Sequence, residues 1–190
     1  PLFADQDVGV VYSRRKWINP SGIVVAGNER VLRRGKILDY IFVDNFVCFS
    51  SSVIRKSYLE QVGYFDESLP MGIDYDLWIR LASVCKFDFV DEALVRYRTG
   101  HSNLSKNTLK RYECAQQIMR KNLSNSEIKT AISWYVPALA WSDTWSNFGL
   151  FLIKYGKKKI GLLYCILAII VCPLYCNSYK RLIKSLFYCI

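Results

Sequence analysis

Gly63-Tyr-Phe-Asp66-Glu-Ser-Leu-Pro70-Met-Gly72-Ile-Asp74-Tyr-Asp76-Leu-Trp78-Ile-Arg80-Leu81 is the stretch on which the reading of the chain turns. Gly63 suits the left-handed residue that closes a helix. Pro70 and Gly72 keep the following connection irregular. From Asp74 onward, Leu77, Trp78, Leu81 and Val84 fall on one helical face. The spacing predicts a helix end, a polar turn, and a second helix that opens with two carboxylates. Near a helix N-terminus the backbone dipole favours anionic side chains. Two roles follow for Asp74: an ordinary N-cap, with Asp76 a first-turn charge, or a rim carboxylate able to act as a general base. Spacing alone leaves both open.

Upstream, residues 5–13 have the β-branched content of a buried strand. Asn19-Pro20-Ser21-Gly22 reads as a turn and Ile23-Val24-Val25 as a return strand. Residues 26–38 are polar and basic and read as a loop, either solvated or in contact with phosphate. Residues 41–54 read as an apolar lead-in, a polar break at Asp44-Asn45, and a strand through Phe49. Ser57 and Glu60 have capping-box spacing for the helix ending at Gly63. Downstream, Lys86–Arg98 reads as strand, tight turn at Asp91-Glu92, strand.

The string from Gly63 to Ala82, with what surrounds it, resembles the second half of family 2 inverting glycosyltransferases. In that family a G-x-F-D-E turn precedes an E-D-x-D-L-x-x-R helix start; Ile73 stands here where the family has Glu. The resemblance spans about residues 5–105. It implies a partial GT-A sandwich, an α/β fold, followed by a helical apolar C-terminal tail. It also implies Asp74 as the base that deprotonates an acceptor hydroxyl, with Asp76 and Arg80 close behind; Arg80, about one turn from Asp76, either pairs with it and fixes the helix end or reaches the phosphate, the pairing being favoured. Asn45 and Ser51 lie in a segment that lines the family's cleft, and either contact ligand or satisfy backbone groups. Trp78 is a sugar platform or core. Arg98 neutralises phosphate or is a surface cation. His101, in a run close to the family's Y-R-x-H-x-x-S-x-S, contacts metal or diphosphate or is an ordinary loop residue.

The implied partners are a nucleotide-sugar donor and a saccharide or lipid-linked acceptor, reacting with inversion. The implied cofactor is Mg²⁺ or Mn²⁺ on a D-x-D motif upstream of Pro1. Asp5-Gln6-Asp7 has the spacing, but a strand follows it rather than precedes it. The chain opens at Pro1 without a signal peptide, and the expectation is a piece lacking its donor-binding half.

Composition sets the other bounds. The chain has 190 residues, a formal charge of +10, thirteen Tyr and five Trp. Its basic residues are scattered in clusters rather than aligned in a stripe, which argues against nucleic acid. Seven cysteines without a C-x-x-C pair, beside a single histidine, predict reduced buried thiols. Residues 106–158 read as a helical extension, with Pro137 bending or beginning a helix. Ile160–Cys176 carries no charge, yet as a helix would span only about 25 Å. Pro173 interrupts it and lysines flank it. Residues 159–190 therefore read as apolar helices that are buried, interfacial or spanning, with cytoplasmic-face membrane contact favoured. A non-catalytic membrane-associated module that binds a polyanion or a protein partner is the alternative to the transferase.

Overall fold

The computed structural model describes residues 2–100 and 107–187. It resolves into two compact units, residues 1–132 and 133–190.

The first unit is mixed α/β around one long strand. β1 (Val8–Ile18) pairs in parallel with β4 (Lys86–Arg98) along its whole length. Its other edge is shared by β3 (Val53–Ile54), opposite Val10 and Val11, and by β2 (Val24–Val25), opposite Trp17 and Ile18, both antiparallel. β2 is the return strand expected after Asn19–Gly22. A parallel pair needs a long crossover, and this one contains α1 (Leu38–Val43), α2 (Lys56–Val62) and α3 (Ile73–Val84). α4 (Thr108–Ser124) and α5 (Ser126–Ala131) complete the unit. Its core is large and apolar: Tyr12, Phe42, Trp78 and Phe87 are all withdrawn from water, with Leu77, Ile79, Leu81 and Ile118.

Four local expectations are corrected. The segment through Phe49 is not a strand; Phe49–Ser51 is a 3₁₀ turn and the strand begins at Val53. Asp91 and Glu92 do not make a hairpin. Ser13 faces Val90 and Arg14 faces Ala93, so the two acids are an insertion bulging from one continuous strand. The capping box is not formed, because α2 starts two residues early with Arg55 rather than Ser57 as its cap, and Glu60 pairs with Lys56 instead. Asp74 is not the N-cap of α3; Gly72 is, at φ +76°, a conformation that costs glycine little. The basic segment is irregular as expected, but it is clasped. The Tyr12 hydroxyl donates to the Arg33 carbonyl and accepts from the Arg33 N–H, each at 2.8 Å. Burial pushes the Tyr12 phenol up to about 12.

The second unit holds α6 (Val136–Lys154), α7 (Lys158–Val171) and α8 (Cys176–Phe187). Pro137 sits at the start of α6, where its missing N–H costs nothing. No helix among the described residues is long and apolar enough to cross a membrane. Of the described thiols, Cys48, Cys85, Cys114 and Cys165 are buried, whereas Cys172 is half-buried and Cys176 exposed, against the expectation for those two.

Candidate active site

Two carboxylates share the first turn of α3 and differ in every physical respect. Asp76 is fully buried. Arg80 Nε donates to it at 3.0 Å, one helical turn on. Lys121 Nζ of α4 lies 2.9 Å from its Oδ1, and Asn122 Nδ2 donates to the same oxygen at 3.0 Å. A buried carboxylate persists as a charge only with such pairing. Arg80 spends its remaining donors on the carbonyls of Val62, Gly63 and Tyr64, at 2.7, 2.9 and 2.8 Å. The Asp76–Arg80 pair thus ties the end of α2 to the start of α3. Lys121 also reaches Asp66 of the intervening turn at 2.7 Å, and Asn122 fixes α4 to the same point.

Asp74 is half-buried. Its described hydrogen bond comes from Asn45, whose Nδ2 lies 3.1 Å from Asp74 Oδ2. The partner is brought there by Tyr75, whose hydroxyl donates to the Phe42 carbonyl at 2.6 Å and holds the end of α1 against α3. Asn45 Oδ1 is buried without a protein partner. A neutral amide orients one carboxylate oxygen and, unlike the lysine on Asp76, brings no neutralising charge.

The other residues singled out by sequence divide clearly. Trp78 is no sugar platform: it is wholly enclosed, packed against Phe49 and Phe87 with ring centroids 6.1 Å away in both cases. Ser51 serves the backbone, accepting from Ser13 N–H at 3.1 Å and facing the carbonyls of Ser13 and Cys48. Arg98 donates to the Asn19 and Pro20 carbonyls and holds the β1–β2 turn. His101 lies outside the described residues. Lys121, Asn122 and Tyr75 were not singled out; the first two lie 45 and 46 residues from Asp76, and no local periodicity links them.

A cleft of about 360 Å³, open to solvent, lies over the second half of β1. Arg14, Arg15, Trp17, Arg30 and Phe46 are among its lining residues. Its arginines are engaged: Arg14 pairs with Asp91, Arg30 pairs with Asp44, and Arg15 lies 4.4 Å over the Trp17 ring. Asp74 is not part of this lining, although Phe46 directly follows Asn45 in the chain. Among the described residues no group of three or more His, Cys, Asp or Glu side chains is placed to hold a metal. Asp5 and Asp7 both pair with Lys86, at 3.4 and 2.9 Å.

No protein-family model matches the chain. Curated relatives do. An uncharacterized glycosyltransferase of Methanocaldococcus jannaschii, MJ1057, is 29% identical over 96 residues, covering 50% of this chain and 33% of that protein. The O-antigen biosynthesis glycosyltransferase WbnJ of Escherichia coli is 35% identical over 63 residues, covering 32% of this chain and 25% of that protein. An uncharacterized glycosyltransferase of Rickettsia felis is 27% identical over 97 residues, covering 42% of this chain and 16% of that protein. The chain spans a third or less of the length of these relatives. Similarity to three named glycosyltransferases, each matched over part of its length, is the family-level finding.

Proposed function

We propose that this chain is the acceptor-side part of an inverting, nucleotide-sugar-dependent glycosyltransferase, with Asp74 as general base. The acceptor, a saccharide or a lipid-linked saccharide, attacks the anomeric carbon through its hydroxyl oxygen. The new C–O bond forms as the bond to the nucleoside diphosphate breaks, and Asp74 takes the hydroxyl proton. The observation that carries this reading is the contrast within one helical turn. Asp76 is enclosed and charge-paired, whereas Asp74 is half-exposed and, among the described residues, steadied by the neutral Asn45 amide. The divalent cation implied by the resemblance finds no ligand set among the described residues, and no step is assigned to it.

The test, made on the full-length enzyme in which this chain is joined to a donor-binding half, is release of nucleoside diphosphate from a panel of nucleotide-sugars, with and without acceptor. Asp74→Asn should lower the transfer rate by about 10²–10⁴-fold, the usual contribution of a positioned base. Donor binding and hydrogen-exchange protection of α3 should be unchanged. An Asp74→Asn protein with undiminished transfer would refute the assignment.

A further inference from the structure

The second unit is built inside-out for a helical assembly in water. Its buried positions are mostly small or hydroxylated: Ala140, Ser142, Ser146, Gly149, Cys165 and Ala168. The close approach of α6 and α7 depends on this. A Cβ on Gly149 would lie 2.6 Å from the Gly161 carbonyl oxygen, and one on Gly161 would lie 2.5 Å from Ile153. The bulky aliphatic residues of α7 occupy the opposite face. Leu163, Ile166 and Ile170 recur at helical spacing and are 54%, 47% and 67% exposed; Leu174, just beyond the helix, is 91% exposed. A water-facing stripe of this kind forgoes the free energy gained when apolar side chains leave water. Small residues at the helix contact with large apolar ones outside is the arrangement helices adopt where the surroundings are lipid.

Charge specifies which lipid. The unit carries seven Lys and Arg against one carboxylate, Asp143. That carboxylate is satisfied internally, by Arg181 Nη1 at 2.8 Å and by the Tyr175 hydroxyl at 2.6 Å. Lys157, Lys158 and Lys159 run directly into the α7 stripe and are exposed. On α8, Lys180 and Lys184 are exposed beside Tyr179 and Ile183, which are also exposed. At 14 residues α7 is about 21 Å long, less than the roughly 30 Å hydrocarbon layer. It can lie in the membrane interface but cannot cross it.

We infer that the outer face of α7, extended by Leu174, docks this protein on an anionic membrane surface, its aliphatic side chains entering the headgroup–acyl boundary and its lysines contacting anionic headgroups. The inference rests on the second unit alone and stands apart from the transferase reading. The test is co-sedimentation of the intact protein with vesicles of phosphatidylcholine, or of equal parts phosphatidylglycerol and phosphatidylcholine. Binding is expected to the anionic vesicles only. Ile166→Gln with Ile170→Gln, at exposed sites that leave the fold intact by circular dichroism, should weaken it about tenfold or more. Lys157→Gln, Lys158→Gln and Lys159→Gln should each weaken it about fivefold and flatten its salt dependence. Equal binding to neutral vesicles, or binding unmoved by the isoleucine pair, overturns the inference. So does a dimer in solution that the same pair dissociates, which would make the stripe a contact between two copies of this chain.

Discussion

In the first unit the side chains withdrawn from water are the largest ones, with Trp78, Phe42, Phe87 and Tyr12 filling the space between β1, β4 and the helices. In the second unit serines, glycines, a cysteine and alanines meet along the α6–α7 contact together with Leu152 and Ile153 of α6, while Leu163, Ile166 and Ile170 of α7 stand outside. The two use different sources of cohesion. The first gains from removing apolar area from water. The second gains from close backbone approach and internal polar bonds: Ser142 Oγ lies 2.7 Å from both the Ala168 carbonyl and Ser178 Oγ. The difference teaches that fraction apolar does not locate a core; which size class faces inward does.

The largest effect that tests this contrast is Trp78→Ala. It removes a fully enclosed indole and leaves a void, which typically costs about 3–5 kcal/mol. Because the chain has two units, a single unfolding midpoint is not a safe measure. Hydrogen exchange should show protection falling across α3 and β1 while α7 is unaffected. Equal loss of protection in α7 would mean that the two interiors melt together.

A smaller effect is expected from Gly149→Ala, ordinarily a helix-favouring change by about 1 kcal/mol. Here the added methyl meets a carbonyl oxygen and Cys165 Sγ, each at 2.6 Å. The helices must separate, at about 1–3 kcal/mol, read as faster exchange in α6 and α7 only. A Gly149→Ala protein more stable than its parent would show that close approach is not what holds this unit together.

How far the sequence reached follows the same division between local and distant causes. The α3 period, the glycine at the end of α2, the first half of β1 and the β1–β2 turn were legible because neighbouring residues set them, whereas the strand expected over residues 5–13 in fact runs from Val8 to Ile18. The carboxylate pair on α3 was legible, and Arg80 at i+4 from Asp76 pointed to their pairing. Asp91-Glu92 was misread because two polar residues between apolar runs fit a hairpin and a bulge equally; pairing with β1, far away in the chain, decides between them. Trp78 kept two readings until Phe49 and Phe87 were seen around it. The fate of Asp76 could not be read at all without Lys121 and Asn122, whose helix has no sequence signal directing it there. The inside-out character of α7 was equally hidden, since an apolar run does not announce which of its faces is covered.

The smallest effect concerns the rim of the Asp76 cluster. Lys121 and Ser68 donate to Asp66 and hold its carboxyl at about 2, below the ordinary 3.8. A carboxyl whose value is lower in the folded than in the unfolded chain binds protons more readily when unfolded. Its stabilising contribution is therefore complete above about pH 4 and disappears as pH falls toward about 2. The pair is partly exposed, so solvent screening limits it to under about 1 kcal/mol. Asp66→Asn should speed neutral-pH exchange in α3 by no more than about fivefold and flatten its acid dependence between those two values, with no change in α7. An unaltered acid limb would show that Asp66 does not carry the acid sensitivity of the first unit. Asp76 shares the same lysine, and in Asp66→Asn it would hold that lysine alone.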